Sequence, residues 1–576
     1  MNPTRTFDAD QPFAERELPV YEALALDIKS RGIESVFGLM SDDTALFVTT
    51  LDAIGVRFHA TRHENSAVAM AEGYASATGR LGFAIIGRGP ATANALHGCA
   101  YAQRTGSRVL LVFGASSVAH QANGAAEPDA KEFNATGVLE AMGIKTYVAN
   151  DAGSARATLA HAVQATGQGG CVALLLPMNV QFQSIAYPGA MGIPAPAPTA
   201  NPQRIAARPA AIGAAVALLA HSRRPLIVAG LGAHRAGARK ALEALADKIG
   251  AVLATSLKAK DMFHGNAYNL GVVGSYSHTT ARRLIDQADC VIVFGAGLNQ
   301  KTTSYGTSLP TDAALIQVDL SHAKIGRWYH ADLSLIADAR EAAEQLCAAL
   351  PARADSDKAF YTADTRERLT RVDMAAEFQA ANTDRTMDPR SVALELDRML
   401  PASRNAVYDA GNFLQVMPYI SGLGPEHNKN TADFASVGMG FGTAMGIACA
   451  TPERSTVLFV GDGGFLMTMS ELETVAREGI ALVIIVLNDA AYGAELHYLK
   501  MRNMPVAAAV FSDIDFAPIA AGFGFETATA RTLSELRALA PMLSNPQGPI
   551  LIDCKINAAV AAPFMLETAD HEKRLP

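Results

Sequence analysis

The segment Val460-Gly461-Asp462-Gly463-Gly464-Phe465 closes the apolar run Thr456–Val460, and Leu487-Asn488-Asp489-Ala490-Ala491-Tyr492-Gly493 closes a second apolar run, Ala481–Leu487. Together they read as a strand–helix–strand unit. Ser470-Glu471-Leu472-Glu473 has the spacing of a capping box, so one intervening helix is expected to start near Glu471. Gly479 is its natural stop, since a left-handed C-terminal residue costs glycine little. Parallel strands joined by such a crossover end on the same sheet edge, where ligands of open α/β sheets gather. Asp462 and Asp489 are therefore expected to converge despite the distance between them in sequence. Their oxygens, with a backbone carbonyl, suit Mg²⁺ or Ca²⁺ rather than zinc, and Mg²⁺ normally completes its shell with phosphate oxygens. Gly461, Gly463 and Gly464 would let backbone amides approach those phosphates.

A second constellation lies far upstream, in Arg62-His63-Glu64-Asn65-Ser66-Ala67-Val68-Ala69-Met70-Ala71-Glu72-Gly73-Tyr74-Ala75-Ser76-Ala77-Thr78-Gly79. Ala67, Met70, Ala71 and Tyr74 fall at helical spacing on one face, with Gly79 as the stop. Glu64 sits at the helix start, where the dipole favours a carboxylate; read alone, it is a solvated first-turn charge.

With both constellations in place, the chain resembles the thiamine diphosphate-dependent enzymes of the acetolactate synthase, pyruvate decarboxylase and benzaldehyde lyase type. Their motif begins Gly-Asp-Gly and closes with Asn-Asn, where this chain has Asn488-Asp489. The resemblance implies that Asp462 and Asp489 hold Mg²⁺ through their side chains and Ala491 through its carbonyl, with Gly461, Gly463, Gly464 and Tyr492 beside the coenzyme. Aspartate at 489 adds a negative charge near the diphosphate. Glu64 takes the place of the glutamate that hydrogen-bonds the coenzyme's aminopyrimidine and tunes its proton affinity, while the coenzyme does the difficult chemistry.

Further positions follow from the same resemblance. Val437, flanked by Ala435 in Phe434–Gly440, stands where relatives wedge the coenzyme into its bent shape. The Gly411-Asn412 backbone would touch the diphosphate, and Asn94 lies in the turn region after Gly87-Arg88-Gly89-Pro90, where relatives have a glycine- and proline-rich turn. Arg88 is read as a surface arginine, the other reading being an anion contact near the substrate. Asp42 and Glu495 align with acidic groups that shuttle protons in pyruvate decarboxylases, and His120 and His497 are candidates for the same pocket. The activity implied is a thiamine diphosphate- and Mg²⁺-dependent making or breaking of a carbon–carbon bond. An acetolactate synthase-like decarboxylating carboligase acting on a 2-oxo acid comes first. A simple 2-oxo acid decarboxylase, or a lyase of 2-hydroxy ketones or 2-hydroxyacyl-CoA, is the alternative, and a catalytically silent cofactor-binding subunit is more remote. Because relatives hold the coenzyme across two chains, the smallest active unit is expected to be a homodimer, with a homotetramer the expected assembly.

A chain of 576 residues exceeds what one core supports. The expected fold is α/β with three doubly wound parallel-sheet domains: a pyrimidine-binding domain over 1–186, a Pro/Ala-rich linker over 187–202, a central Rossmann-like domain over 203–354, a charged helical connector over 355–386 and a diphosphate- and Mg-binding domain over 387–576. In the central domain, Gly230-Leu231-Gly232 and Gly295-Ala296-Gly297 lack the full dinucleotide spacing. The segment Leu298-Asn299-Gln300-Lys301 stands where FAD-binding relatives carry Arg-Phe-Asp, so FAD is not expected. A net charge of −8 argues against nucleic acid or an anionic membrane as partner. Six dispersed cysteines, no Cys-x-x-Cys pair, no apolar segment in residues 1–20 and no spanning apolar run point to a reduced, cytoplasmic setting.

Overall fold

The computed structural model describes residues 16–117, 129–188, 204–354 and 358–574. The first domain contains β1 (Arg16–Pro19), β2 (Ser35–Gly38), β3 (Arg57–Ala60), β4 (Gly82–Ile86), β5 (Val109–Ala115), β6 (Lys145–Val148), β7 (Cys171–Pro177) and β8 (Ser184–Tyr187). The middle domain contains β9 (Pro225–Ala229), β10 (Val252–Thr255), β11 (Asn269–Val272), β12 (Cys290–Phe294), β13 (Ala314–Asp319) and β14 (Leu333–Ile336). The third contains β15 (Arg404–Tyr408), β16 (Asn428–Asn430), β17 (Ser455–Gly461), β18 (Leu482–Asn488), β19 (Glu526–Ala530) and β20 (Ile550–Lys555).

Three six-stranded, all-parallel sheets result, because helices cover both faces and the central strands are apolar throughout. The first and third sheets run β3-β2-β4-β5-β7-β6 and β16-β15-β17-β18-β20-β19, which is one and the same arrangement. The middle sheet runs β11-β10-β9-β12-β13-β14, the dinucleotide-fold order. Strand order reverses between β2 and β4, between β9 and β12, and between β15 and β17. Those switch points open crevices at the carboxyl ends of the strands.

The first and third domains share one core. The helix Glu64–Thr78 packs on the helix Met439–Ala450, and Phe37, Met70, Phe441 and Val486 belong to one buried cluster. Glycine is required at this contact: a Cβ on Gly446 would stand 2.0 Å from the Met70 carbonyl oxygen, and one on Gly73 would stand 2.2 Å from that of Thr443. Beside it the fully buried Glu72 accepts from Tyr101 (3.0 Å), Ser107 (2.7 Å) and Lys429 (2.5 Å). Burial would raise this carboxyl, but Lys429 and the two hydroxyls hold it below its ordinary range.

Several expectations are corrected. The stretch 355–386 is not one helical connector: among its described residues the α-helix is Ala363–Thr370, and Phe360 and Leu369 pack into the middle domain's core. The proposed linker lies almost wholly outside the described residues, as does His120. Two helices, Asp462–Thr468 and Glu471–Glu478, separate β17 from β18, where one was expected. The second follows the first so closely that Ser470 is itself helical (φ −56°, ψ −24°) and makes no cap bond, so the capping box does not form. Gly79 and Gly479 do end their helices in the left-handed region. All six cysteines are free, and among the described residues no helix is long and apolar enough to cross a membrane.

Candidate functional site

The switch point of the third sheet gathers most of the expected residues. Asp462 follows β17 and begins the helix Asp462–Thr468; Asp489 follows β18. The register pairs Gly461 with Leu487, so the adjacent strands end level and bring the two carboxylates together. Burial and the charge of Asp489 push the Asp462 carboxyl well up, and burial raises Asp489 as well. Asp462 Oδ2 is buried without a hydrogen-bond partner among the described residues. Two carboxylates in a dry site with an idle oxygen are the donor set a hard cation requires. Among the described residues no group of three His, Cys, Asp or Glu side chains forms a metal cage. A cation held by the pair would need further oxygen ligands, such as backbone carbonyl or phosphate oxygens.

The surrounding backbone is shaped to match. Ala490 has φ 55°, which turns the chain sharply after Asp489, and Ala491 is buried in a bridge to Val510. A Cβ on Gly463 would stand 2.7 Å from the Tyr492 ring, and one on Gly493 would stand 2.5 Å from Asp489 Oδ2. Asn488 turns away from the pair: its amide donates to the Ile514 carbonyl (2.9 Å) and to Asp553 (3.0 Å). The side chain of Asn412 is likewise committed, donating to the Val560 carbonyl (2.9 Å) and accepting from Ala562 N–H (2.8 Å). Only its backbone, beside Gly411, remains for a ligand.

Asp409, at the end of β15, was missed as a site residue. Its buried carboxylate accepts from Gly438 N–H (2.7 Å), Gly440 N–H (3.1 Å) and Thr431 Oγ (2.9 Å), and burial pushes it up to about 6. It thereby fixes the turn in which Ala435 (φ 51°), Val437 and Gly438 (φ 88°) precede the helix Met439–Ala450. A Cβ on Gly464 would stand 3.2 Å from a Val437 methyl, so this glycine lets Val437 lie against the Asp462 helix. The available signal was an aspartate closing an apolar strand at a switch point.

Glu64 is buried as the first residue of its helix and accepts from Asn94 Nδ2 (3.2 Å). The helix start is held from the third domain: Glu471, fully buried, accepts from Arg62 N–H (3.1 Å) and from Thr474 Oγ (2.7 Å). Sequence reasoning assigned Glu471 only to its own helix.

The proposed proton-handling residues are placed differently from expectation. Asp42 sits at the first sheet's switch point with its side chain about half exposed, bonded to Lys131 (2.5 Å). That hydrogen bond lowers its carboxyl to about 2, so in this arrangement it stays ionised and offers no proton near neutral pH. Arg88, read as a surface arginine, is largely buried and pairs with Asp129 (3.1 Å), and its backbone N–H donates to the buried Asp43 (3.0 Å). Glu495 and His497 lie two residues apart on the helix Gly493–Lys500 and so point to different sides: Glu495 is exposed, His497 buried. Burial lowers His497, leaving it neutral at neutral pH, with Nε2 unpartnered among the described residues.

In the middle domain the glycine turns pack against each other. A Cβ on Gly230 would stand 2.3 Å from the Gly295 carbonyl oxygen, so these glycines permit close approach of strand ends. A cavity of about 630 Å³ opens beside them, with Lys301, Lys324 and Arg327 in its wall.

Comparison with known proteins agrees with this layout. Residues 19–135 match the model of the thiamine pyrophosphate enzyme N-terminal TPP binding domain, 212–346 the thiamine pyrophosphate enzyme central domain, and 409–554 the thiamine pyrophosphate enzyme C-terminal TPP binding domain. The chain is 26% identical to a probable acetolactate synthase large subunit of Methanocaldococcus jannaschii, covering 94% of this chain and 93% of that protein. It is 27% identical to a probable 2-ketoarginine decarboxylase of Pseudomonas aeruginosa, covering 91% of each. It is also 27% identical to a sulfoacetaldehyde acetyltransferase of Alcaligenes xylosoxydans xylosoxydans, covering 88% of this chain and 87% of that protein.

Proposed function

The chain belongs to the thiamine pyrophosphate enzyme family, and from that premise we propose that it is a Mg²⁺-dependent carboligase that decarboxylates a 2-oxo acid and transfers the remaining fragment to a second carbonyl compound. The observation that carries the reading is the idle, buried Oδ2 of Asp462 beside Asp489 at the third sheet's switch point. When bound, thiamine diphosphate supplies a carbon nucleophile and a sink for the electron pair of the breaking carbon–carbon bond. The residues of this chain supply the rest. Asp462, Asp489 and the Ala491 carbonyl would hold the cation; Gly461, Gly463 and Gly464 would leave room for the diphosphate; Val437, in the turn fixed by Asp409, would lie against the coenzyme. Glu64 would hydrogen-bond the pyrimidine end, positioned by Asn94 and by the Glu471 brace.

The pairing of Asp42 with Lys131 favours transfer over simple decarboxylation. Releasing an aldehyde requires a group that protonates the carbon left after carbon dioxide departs. Asp42 is bonded to Lys131, which makes it a poor proton donor. The 27% identity to a probable 2-ketoarginine decarboxylase favours the second reading, a 2-oxo acid decarboxylase.

We place the smallest active unit at the homodimer. Leu466 and Met467 on the Asp462 helix, Tyr492 against Gly463 and Val510 bridged to Ala491 are exposed apolar side chains, a surface suited to covering by a second copy. Carbon dioxide release is measured over a panel of 2-oxo acids, with and without aldehyde or 2-oxo acid acceptors. The carboligase reading expects release that depends on acceptor and yields a ligated product. Acceptor-independent release with stoichiometric aldehyde establishes the decarboxylase instead, and silence with coenzyme bound points to a lyase or a silent subunit.

A further inference from the structure

A second cavity, of about 610 Å³, lies where the three domains meet, and none of the residues assigned to the coenzyme lines it. Its wall comes from the end of the Glu64–Thr78 helix, the turn before β5, the segment Leu231–Arg235 and the segment Pro425–Asn430. Its size falls within the range of small-molecule pockets, about 300–1,000 Å³.

Its chemistry is cationic. Arg108, Arg235, Lys258 and Lys429 line it, against Glu426 and Asp433. Lys429 is paired with Glu72 and Lys258 with Asp433. The two arginines have no carboxylate partner among the described residues: Arg235 Nη2 donates to the Thr105 carbonyl (3.2 Å), and Arg108 Nε is buried with no partner at all. Burial first, then the charges of Lys429 and Arg235, push the Lys258 ammonium down, so the cations repel one another and a bound anion relieves the repulsion.

A hydrogen-bond acceptor waits in the same wall. Asn428 is 7% exposed; its amide donates to the Gly424 carbonyl (3.0 Å), while its Oδ1 is buried without a partner among the described residues. An idle acceptor beside idle guanidiniums calls for a ligand that is an anion at one end and a hydrogen-bond donor at the other. Two guanidiniums to which no carboxylate is hydrogen-bonded match a phosphate group, whose oxygens accept the paired N–H groups of arginine. His234 and His427, both lowered by burial, are neutral near pH 7 and complete a polar wall suited to hydroxyl groups.

We propose that this three-domain cavity binds a hydroxyl-bearing phosphate ester of sugar-phosphate size, with the phosphate at Arg108 and Arg235 and a hydroxyl donating to Asn428 Oδ1. The proposal does not depend on which reaction the enzyme catalyses.

The test is calorimetric titration of ribose 5-phosphate into protein already saturated with thiamine diphosphate and Mg²⁺, so that the coenzyme's own phosphate site is closed to the probe. Saturable binding at one site per chain is expected, weaker by about tenfold or more for D-ribose and for inorganic phosphate. Arg235→Gln and Asn428→Ala are each expected to weaken binding by about tenfold or more while leaving turnover without the probe unchanged. Arg108→Gln provides an independent arm should Arg235→Gln melt early. Absence of saturable binding at millimolar probe overturns the proposal. So does equal affinity in the wild type and the arginine variants, or inorganic phosphate binding as tightly as the ester.

Discussion

Glu64 and Asp462 separate turnover from binding at the level of single side chains. Glu64 is buried, accepts from Asn94 and lies 3.9 Å from His63 Nδ1, so replacing it by Gln keeps size and hydrogen bonding while removing the acid. Glu64→Gln is therefore expected to bind the coenzyme nearly as well as the wild type and to lose about 10²- to 10⁴-fold in turnover. An unimpaired variant would refute the assignment. The positions of both residues were legible from local pattern, an acid at the end of an apolar strand and an acid at a helix start, while the roles proposed for them rest on the family resemblance. Asp409 was legible as an acid closing an apolar strand but not as the brace of a turn, because its partners, the amides of Gly438 and Gly440, lie far along the chain and meet it only through the sheet's strand order. Asp42 was legible as an acid but not as an ion pair, since Lys131 reaches it only in three dimensions.

At the level of elements, the contact between Glu64–Thr78 and Met439–Ala450 joins the helix carrying Glu64 to the one that follows Val437. A side chain at Gly446 must displace the Met70 carbonyl, so Gly446→Val is expected to cost about 1–3 kcal/mol or more and to lower both melting temperature and activity. Gly213, in the helix Pro209–His221, has nothing within 4 Å of a built Cβ, so Gly213→Ala is expected to stabilise by about 0.5–1 kcal/mol. Thermal melting of the pair checks both; a Gly446→Val protein as stable as the wild type would contradict the packing argument. The strands Ser455–Gly461 and Leu482–Asn488 were readable from apolar runs, and the stops at Gly79 and Gly479 from glycine alone, whereas edge strands such as Asn428–Asn430 and Arg57–Ala60 carry no such run. The failed capping box shows the limit of such reading. Ser470 has the right neighbours, but the preceding helix Asp462–Thr468 imposes a backbone in which a cap cannot form.

Across the whole molecule, the first and third domains are tied together by charges as well as by their shared core. Glu478 bonds Arg57 (3.0 Å) and His59 (3.2 Å) from the opposite domain. Burial would raise its carboxyl, but His59, Arg57 and Arg477 hold it down to about 2, against an ordinary value of 4.5. A lowered folded-state value contributes stability that is complete above the ordinary value and is lost as pH falls toward the lowered one. Glu478→Gln is accordingly expected to lower the melting temperature near neutral pH and to flatten its decline between about pH 4.5 and 2. A variant whose melting profile parallels that of the wild type through this window would contradict the assignment. The most direct test of the whole account is calorimetric titration of thiamine diphosphate into coenzyme-free protein with Mg²⁺ present. The account predicts stoichiometric binding that needs the cation and is weakened by about a hundredfold or more in Asp462→Asn. Absence of binding by the wild type, or equal binding by the variant, would contradict it.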